Sequence, residues 1–174
     1  MKTNTKRLVI SSMLLAAAYL LPFLTGQIKQ FGAALTPMHI PVLLCGFICG
    51  WQWGLAVGVI APLLRSVTLG MPVIFPSAVC MSVELAVYGA VAGLMYKFLP
   101  KKKPFIYVAL LTAMVAGRAL WGIAQLICLG FDTTKFTLTA VFTRSVLESI
   151  PGIILQIVLV PLIVMLTGKW KVKI

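Results

Sequence analysis

Five charged side chains interrupt the apolar runs of this 174-residue chain: Arg65, Glu84, Arg118, Arg144 and Glu148. An ionised group at mid-bilayer costs about 2.5–3.5 kcal/mol on the insertion scale, so each of them needs an opposite charge, water or a ligand. Arg144 and Glu148 are spaced i,i+4 and share one helix face, and Arg118, Trp121 and Gln125 form an i, i+3, i+7 stripe. His39, the single histidine, opens a further apolar run. Three Arg against two Glu leave one positive charge unbalanced when His39 is neutral, and a substrate carboxylate completes the balance, with Arg65, beside Gly70-Met71-Pro72, as the expected holder. For each residue taken singly, the alternative is an internal ion pair or hydrogen bond that ties the helices together.

The elements that must position these groups are membrane helices. Hydrophobic residues make up 61% of the chain and charged residues 10%, with a mean hydropathy of +1.07, whereas soluble domains carry about 25% charge. Apolar runs bounded by Pro, Gly and charge predict helices at 7–25, 38–50, 53–68, 76–98, 104–129 and 138–167. The second run is short and has the option of fusing with the third across Trp51-Gln52-Trp53-Gly54. Loop charge favours six spans, because Lys2, Lys6 and Arg7, then Lys97 with Lys101 to Lys103, then Lys169, Lys171 and Lys173 all belong on the cytoplasmic side. The expectation is one all-α membrane domain over residues 1–174, a six-transmembrane-helix bundle with both termini cytoplasmic, multi-pass in a bacterial cytoplasmic membrane.

On this topology the buried polar residues gather in the outer half, while the inner half holds little beyond Gln156. One-sided polarity describes a binding site with a closed floor, since a pore needs polar groups through both halves. The outer loops 25–37 and 68–76 are candidate lids, the second punctuated by Gly70, Pro72 and Pro76. The net charge of +12 is explained by the basic cytoplasmic loops and calls for no nucleic acid. Cys45, Cys49, Cys80 and Cys128 lie in apolar stretches without metal-ligand spacing and read as buried thiols. The chain carries no H-E-x-x-H, G-x-S-x-G or Walker motif, so no catalytic residue, metal or cofactor is expected, and no energy source of its own is visible.

Five blocks carry a family likeness: Thr36-Pro37-Met38-His39-Ile40-Pro41, Gly46-Phe47-Ile48-Cys49-Gly50, Ala61-Pro62-Leu63-Leu64-Arg65-Ser66, Gly70-Met71-Pro72 and Glu84-Leu85-Ala86-Val87-Tyr88-Gly89. In order and spacing they resemble the substrate-binding S components of the energy-coupling factor vitamin transporters, and the pattern is most similar to members assigned to pantothenate, with pyridoxine-type members as neighbours. The resemblance implies a vitamin bound from outside and delivered through a transmembrane coupling protein driven by two cytoplasmic ATPases. Substrate binding then falls to the buried polar set already read from the sequence: His39, Arg65, Glu84, Arg118, Trp121, Gln125, Arg144 and Glu148. It also implies docking through an Ala-x-x-x-Ala motif in the first helix, matched here by Ser12 and Ala16. A stand-alone secondary carrier and a membrane thiol oxidase are readings of other classes; the oxidase needs a reactive cysteine pair in an outer loop.

Replacing Ser12 and Ala16 together with Leu is expected to leave ligand affinity unchanged and to abolish uptake, because bulk on a small-xxx-small face blocks close helix approach. Calorimetry on the isolated chain and radiolabelled uptake with the full complex check the two halves of this outcome.

Overall fold

The computed structural model describes residues 2–24, 36–100, 103–128 and 150–167. These residues form six α-helices and no strand: α1 (Lys2–Leu24), α2 (His39–Cys49), α3 (Trp51–Leu69), α4 (Val79–Phe98), α5 (Lys103–Cys128) and α6 (Ile150–Thr167). Five segments are long and apolar enough to cross a membrane: Asn4–Phe23, Trp51–Leu69, Ile74–Phe98, Pro104–Cys128 and Ile150–Thr167. The 11 residues of α2 reach only about 16 Å, roughly half of a hydrocarbon core of about 30 Å.

The second and third runs do not fuse. At Gly50 the backbone takes φ 100° and ψ 168°, a conformation open to glycine and costly for any residue with a Cβ. In a continuous helix residues 46 and 54 would stand about 12 Å apart along the axis; instead, a Cβ added to Gly54 would lie 2.8 Å from the Cα of Gly46. Thus α2 and α3 form a tight antiparallel hairpin. Trp51 is exposed at this turn, with Trp53 half-buried nearby.

Glycines also set the register of α4. A Cβ on Gly54 would sit 2.7 Å from the Gly89 carbonyl oxygen, and one on Gly93 would sit 2.5 Å from the Trp51 nitrogen. The three backbones touch along this seam, which is how membrane helices gain packing where lipid supplies no hydrophobic drive between them. Residues 46, 54 and 89 are therefore level with one another. From that level α3 runs on to Leu69, whereas α2 ends at His39, so α2 stops about 12 Å, some two turns, short of its neighbour. Its N-terminus lies inside the bundle.

Both ends of α3 have fixed exits. Gly70 caps it in the left-handed conformation with its N–H on the Ser66 carbonyl, and the Ser66 hydroxyl donates to the Pro72 carbonyl at 2.5 Å. Met71-Pro72 and Phe75-Pro76 are cis, and a π-helical turn over Ile74–Ala78 leads into α4. The 68–76 connection is a fixed turn, as its glycine and prolines predict. Of the other candidate lid, residues 25–35 lie outside the described residues.

Two apolar clusters fill the interior. One joins Leu43, Phe47, Tyr88, Leu110, Met114 and Val160; the other joins Ala18, Val42, Cys45, Val57, Ala61 and Leu85. Substituting Gly54→Ala is expected to lower stability by about 1–3 kcal/mol, since a methyl there overlaps backbone that cannot yield. Gly122 faces nothing within 4 Å, so Gly122→Ala, gaining helix propensity, is expected to leave the melting temperature unchanged or raised. Thermal unfolding of both variants in detergent is the comparison.

Candidate functional site

Three helices bring three of the sequence-nominated groups together at the buried end of α2. The Arg118 guanidinium, from α5, places Nη1 3.3 Å from Glu84 Oε1 on α4, and His39 Nε2, in the first turn of α2, lies 3.7 Å from the same oxygen. Glu84 and His39 are each 2% exposed. Tyr88 stands one turn beyond Glu84 on the same face of α4 and meets the His39 ring edge-on, with centroids 5.2 Å apart. Gly117 makes the approach of α5 possible, because a Cβ there would enter the Tyr88 ring.

The cluster is charged but under-bonded. Among the described residues, His39 Nδ1 and Nε2, Glu84 Oε1 and Arg118 Nε are buried with no hydrogen-bond partner. Buried polar groups are ordinarily satisfied, and leaving one unmade costs about 1–3 kcal/mol. Glu84 is also the one acidic side chain among the described residues. The helix end adds to the positive side: Met38 caps α2 without a side-chain hydrogen bond, so the partial positive charge of about half a unit at a helix N-terminus has no side-chain acceptor there. The His39 N–H does bond the Thr36 carbonyl at 3.1 Å.

Gln156 extends the cluster from α6. Its Nε2 donates to Thr36 Oγ1 at 2.8 Å, while its Oε1 is buried without a partner among the described residues. Thr36 itself is held at φ 40°, an uncommon conformation for a β-branched residue that costs on the order of 1–3 kcal/mol. Counting depth along the apolar run 138–167 sets Gln156 apart from the other polar residues; the bond to Thr36 instead brings it beside the residue three positions before His39.

Arg65 goes elsewhere. Its Nη1 reaches the Tyr19 carbonyl at 3.5 Å and its guanidinium lies 5.4 Å over the Phe23 ring, both on α1. Thr68, on the same face of α3, bonds the Tyr19 hydroxyl at 3.0 Å. Residues advance about 100° each around a helix, so the face carrying Arg65 turns to α1 while its neighbour Ser66 holds the 68–76 turn. Among the described residues Arg65 has no carboxylate partner. It binds α1 to α3, away from Glu84.

Trp121 and Gln125 follow Arg118 along α5 and are half-buried, with no hydrogen bond joining them to the ion pair among the described residues. Arg144 and Glu148 lie outside the described residues. Ser12 and Ala16 are both exposed on α1, beside Met13 and Leu20, and the Ser12 hydroxyl folds back onto the Leu8 carbonyl at 2.9 Å. The described cysteines are free thiols, three of them buried and Cys128 half-buried. No group of three His, Cys, Asp or Glu able to hold a metal occurs among the described residues. The spacing of Tyr88, i+4 from Glu84, was a legible sign of membership in the site; Thr36 gave none, because its role depends on a residue 120 positions away.

A family model for the ECF transporter, substrate-specific component, matches residues 6–164. No curated protein and no solved structure matches the chain.

Removing one member of the ion pair strands the other. Arg118→Ala is expected to lower stability by about 3–5 kcal/mol, the range for an uncompensated buried charge. The double variant Glu84→Gln/Arg118→Gln is expected to recover most of that loss. Chemical or thermal unfolding of wild type, single and double variants in one detergent completes the comparison.

Proposed function

Since the chain belongs to the family of ECF transporter substrate-specific components, and is therefore a substrate-binding transport subunit, we propose that it captures a small water-soluble vitamin, pantothenate first among candidates. The observation that carries the reading is the under-bonded cluster His39–Glu84–Arg118 with Gln156, set at the interior N-terminus of a half-length helix. A purely structural ion pair would be expected to spend its donors and acceptors on its partners. Here several are left over, and a polar ligand is what such groups bind.

The proposed topology has six helices in the membrane, with Gly70 at the outer face, Gly50 at the inner face and both termini in the bacterial cytoplasm. The basic residues support it: Lys6 and Arg7 open α1 and Lys97 closes α4, at the same end of the bundle as the Gly50 turn. The pocket then opens outward above α2, beside the 68–76 turn. The partners are a transmembrane coupling protein, met by the exposed Ser12–Ala16 face of α1, and two cytoplasmic ATPases, which supply the energy. Trp121, Gln125, Arg144 and Glu148 are proposed as further pocket residues.

The purified chain is expected to bind one vitamin-sized molecule per monomer and to hydrolyse no ATP. Calorimetry in detergent across a panel of water-soluble vitamins, with a parallel phosphate-release assay, reads both outcomes. Tight nucleotide binding, or no binding across the panel, contradicts the proposal.

A further inference from the structure

We infer that the end of α2 is an anion subsite: the substrate's carboxylate seats between His39 and Arg118 Nε at the first turn of α2, and a hydroxyl or amide N–H of the same substrate donates to Gln156 Oε1. The inference rests on the vitamin-binding reading above and names the substrate class that this site selects, a small carboxylic acid with a nearby hydrogen-bond donor. It moves the carboxylate away from Arg65, the residue that charge counting along the sequence favours.

Independent observations converge on this seat. The α2 N-terminus points into the bundle with no side-chain cap, and helix ends of this kind meet anionic substrate groups within membranes. Two side chains at least nine-tenths buried bring unpartnered polar atoms to it: His39 through both ring nitrogens and Gln156 through Oε1. Arg118 Nε–H is a third unpartnered group, and it can only donate. Glu84 Oε1, though without a hydrogen bond, is offset by the ionic contacts of Arg118 at 3.3 Å and His39 at 3.7 Å. What remains is a donor on Arg118 and a ring N–H of His39 beside an acceptor on Gln156, which complement a carboxylate with a neighbouring O–H or N–H.

Charge decides between an anion and a cation. Glu84 and Arg118 cancel one another, so the side chains leave no net charge, and the partial positive charge at the uncapped end of α2 favours an anion over a cation. The groups facing His39 are Glu84 and Tyr88 of α4 and, across Glu84, Arg118 of α5; among the described residues α1, α3 and α6 bring it no charged contact.

The test compares pantothenate with its uncharged alcohol analogue, pantothenol, by calorimetry on the full chain. Wild type is expected to prefer the acid and to bind the alcohol weakly. Arg118→Lys, which keeps the charge opposite Glu84 but loses the Nε donor, is expected to weaken the acid by roughly tenfold and the alcohol by little. His39→Gln keeps a donor but moves it from the ring position, and is expected to weaken the acid more than the alcohol. Arg65→Ala is expected to affect acid and alcohol alike. Equal losses of acid and alcohol in Arg118→Lys and His39→Gln, with binding intact in wild type, overturn the subsite while leaving the vitamin-binding reading standing, as does a wild type that prefers an uncharged vitamin such as pyridoxine. Absence of binding to every vitamin tried overturns both. Loss of acid discrimination in Arg65→Ala alone overturns the subsite and returns the carboxylate to Arg65.

Discussion

A carboxylate sealed within a membrane protein governs the arrangement of this molecule. Glu84 is 2% exposed, and its charge is tolerable there only while other groups offset it. Arg118 and His39 do so from two other helices, so α2, α4 and α5 are bound to one depth and one rotation about their axes. The offset is incomplete, because the geometry that neutralises the charge does not exhaust the hydrogen bonds. Buried ion pairs stabilise little on balance and are better understood as devices that fix geometry. In this bundle, what they fix is a set of open donors and acceptors.

That cluster depends in turn on a seam that contains no chemistry at all. Gly46, Gly54, Gly58 and Gly89 let the α2–α3 hairpin lie directly on the backbone of α4. The positive φ at Gly50 reverses the chain within a single residue, and the short length of α2 then leaves its N-terminus in the interior rather than at the surface. A longer α2 would carry His39 past Glu84 toward the membrane face, and any side chain in the seam would separate α4 from the hairpin. Close packing of small residues thereby determines the depth at which a helix dipole and a charged cluster coincide. Tyr88 completes the arrangement by filling the space beneath Gly117 and backing the His39 ring.

Much of this was legible in the sequence. Hydropathy located the helices, because runs of apolar residues broken by Gly, Pro and Lys have few other meanings in a chain this poor in charge. The status of Glu84, Arg118 and His39 followed from the cost of burying them. Which charges pair with which was not legible: pairing depends on helix rotation, and a shift of one residue turns a side chain by about 100°. Arg65 shows the difficulty, being placed correctly near the end of α3 but turned toward Tyr19 and Phe23 of α1. Gln156 shows another, since depth counted along a run longer than a span has no fixed origin. The contact between Thr36 and Gln156 joins segments 120 residues apart and has no local signature. The pairing of Arg144 and Glu148 lies outside the described residues.

The most direct test of a pocket built for a small carboxylic acid is to identify what the protein retains. Mass spectrometry of the molecule released by denaturing the purified chain is expected to find one small acid bearing a hydroxyl or amide group, stoichiometric with protein, and to lose it from a folded Glu84→Gln/Arg118→Gln variant. A retained molecule that is cationic or uncharged, or an acid held equally by that variant, would contradict the account.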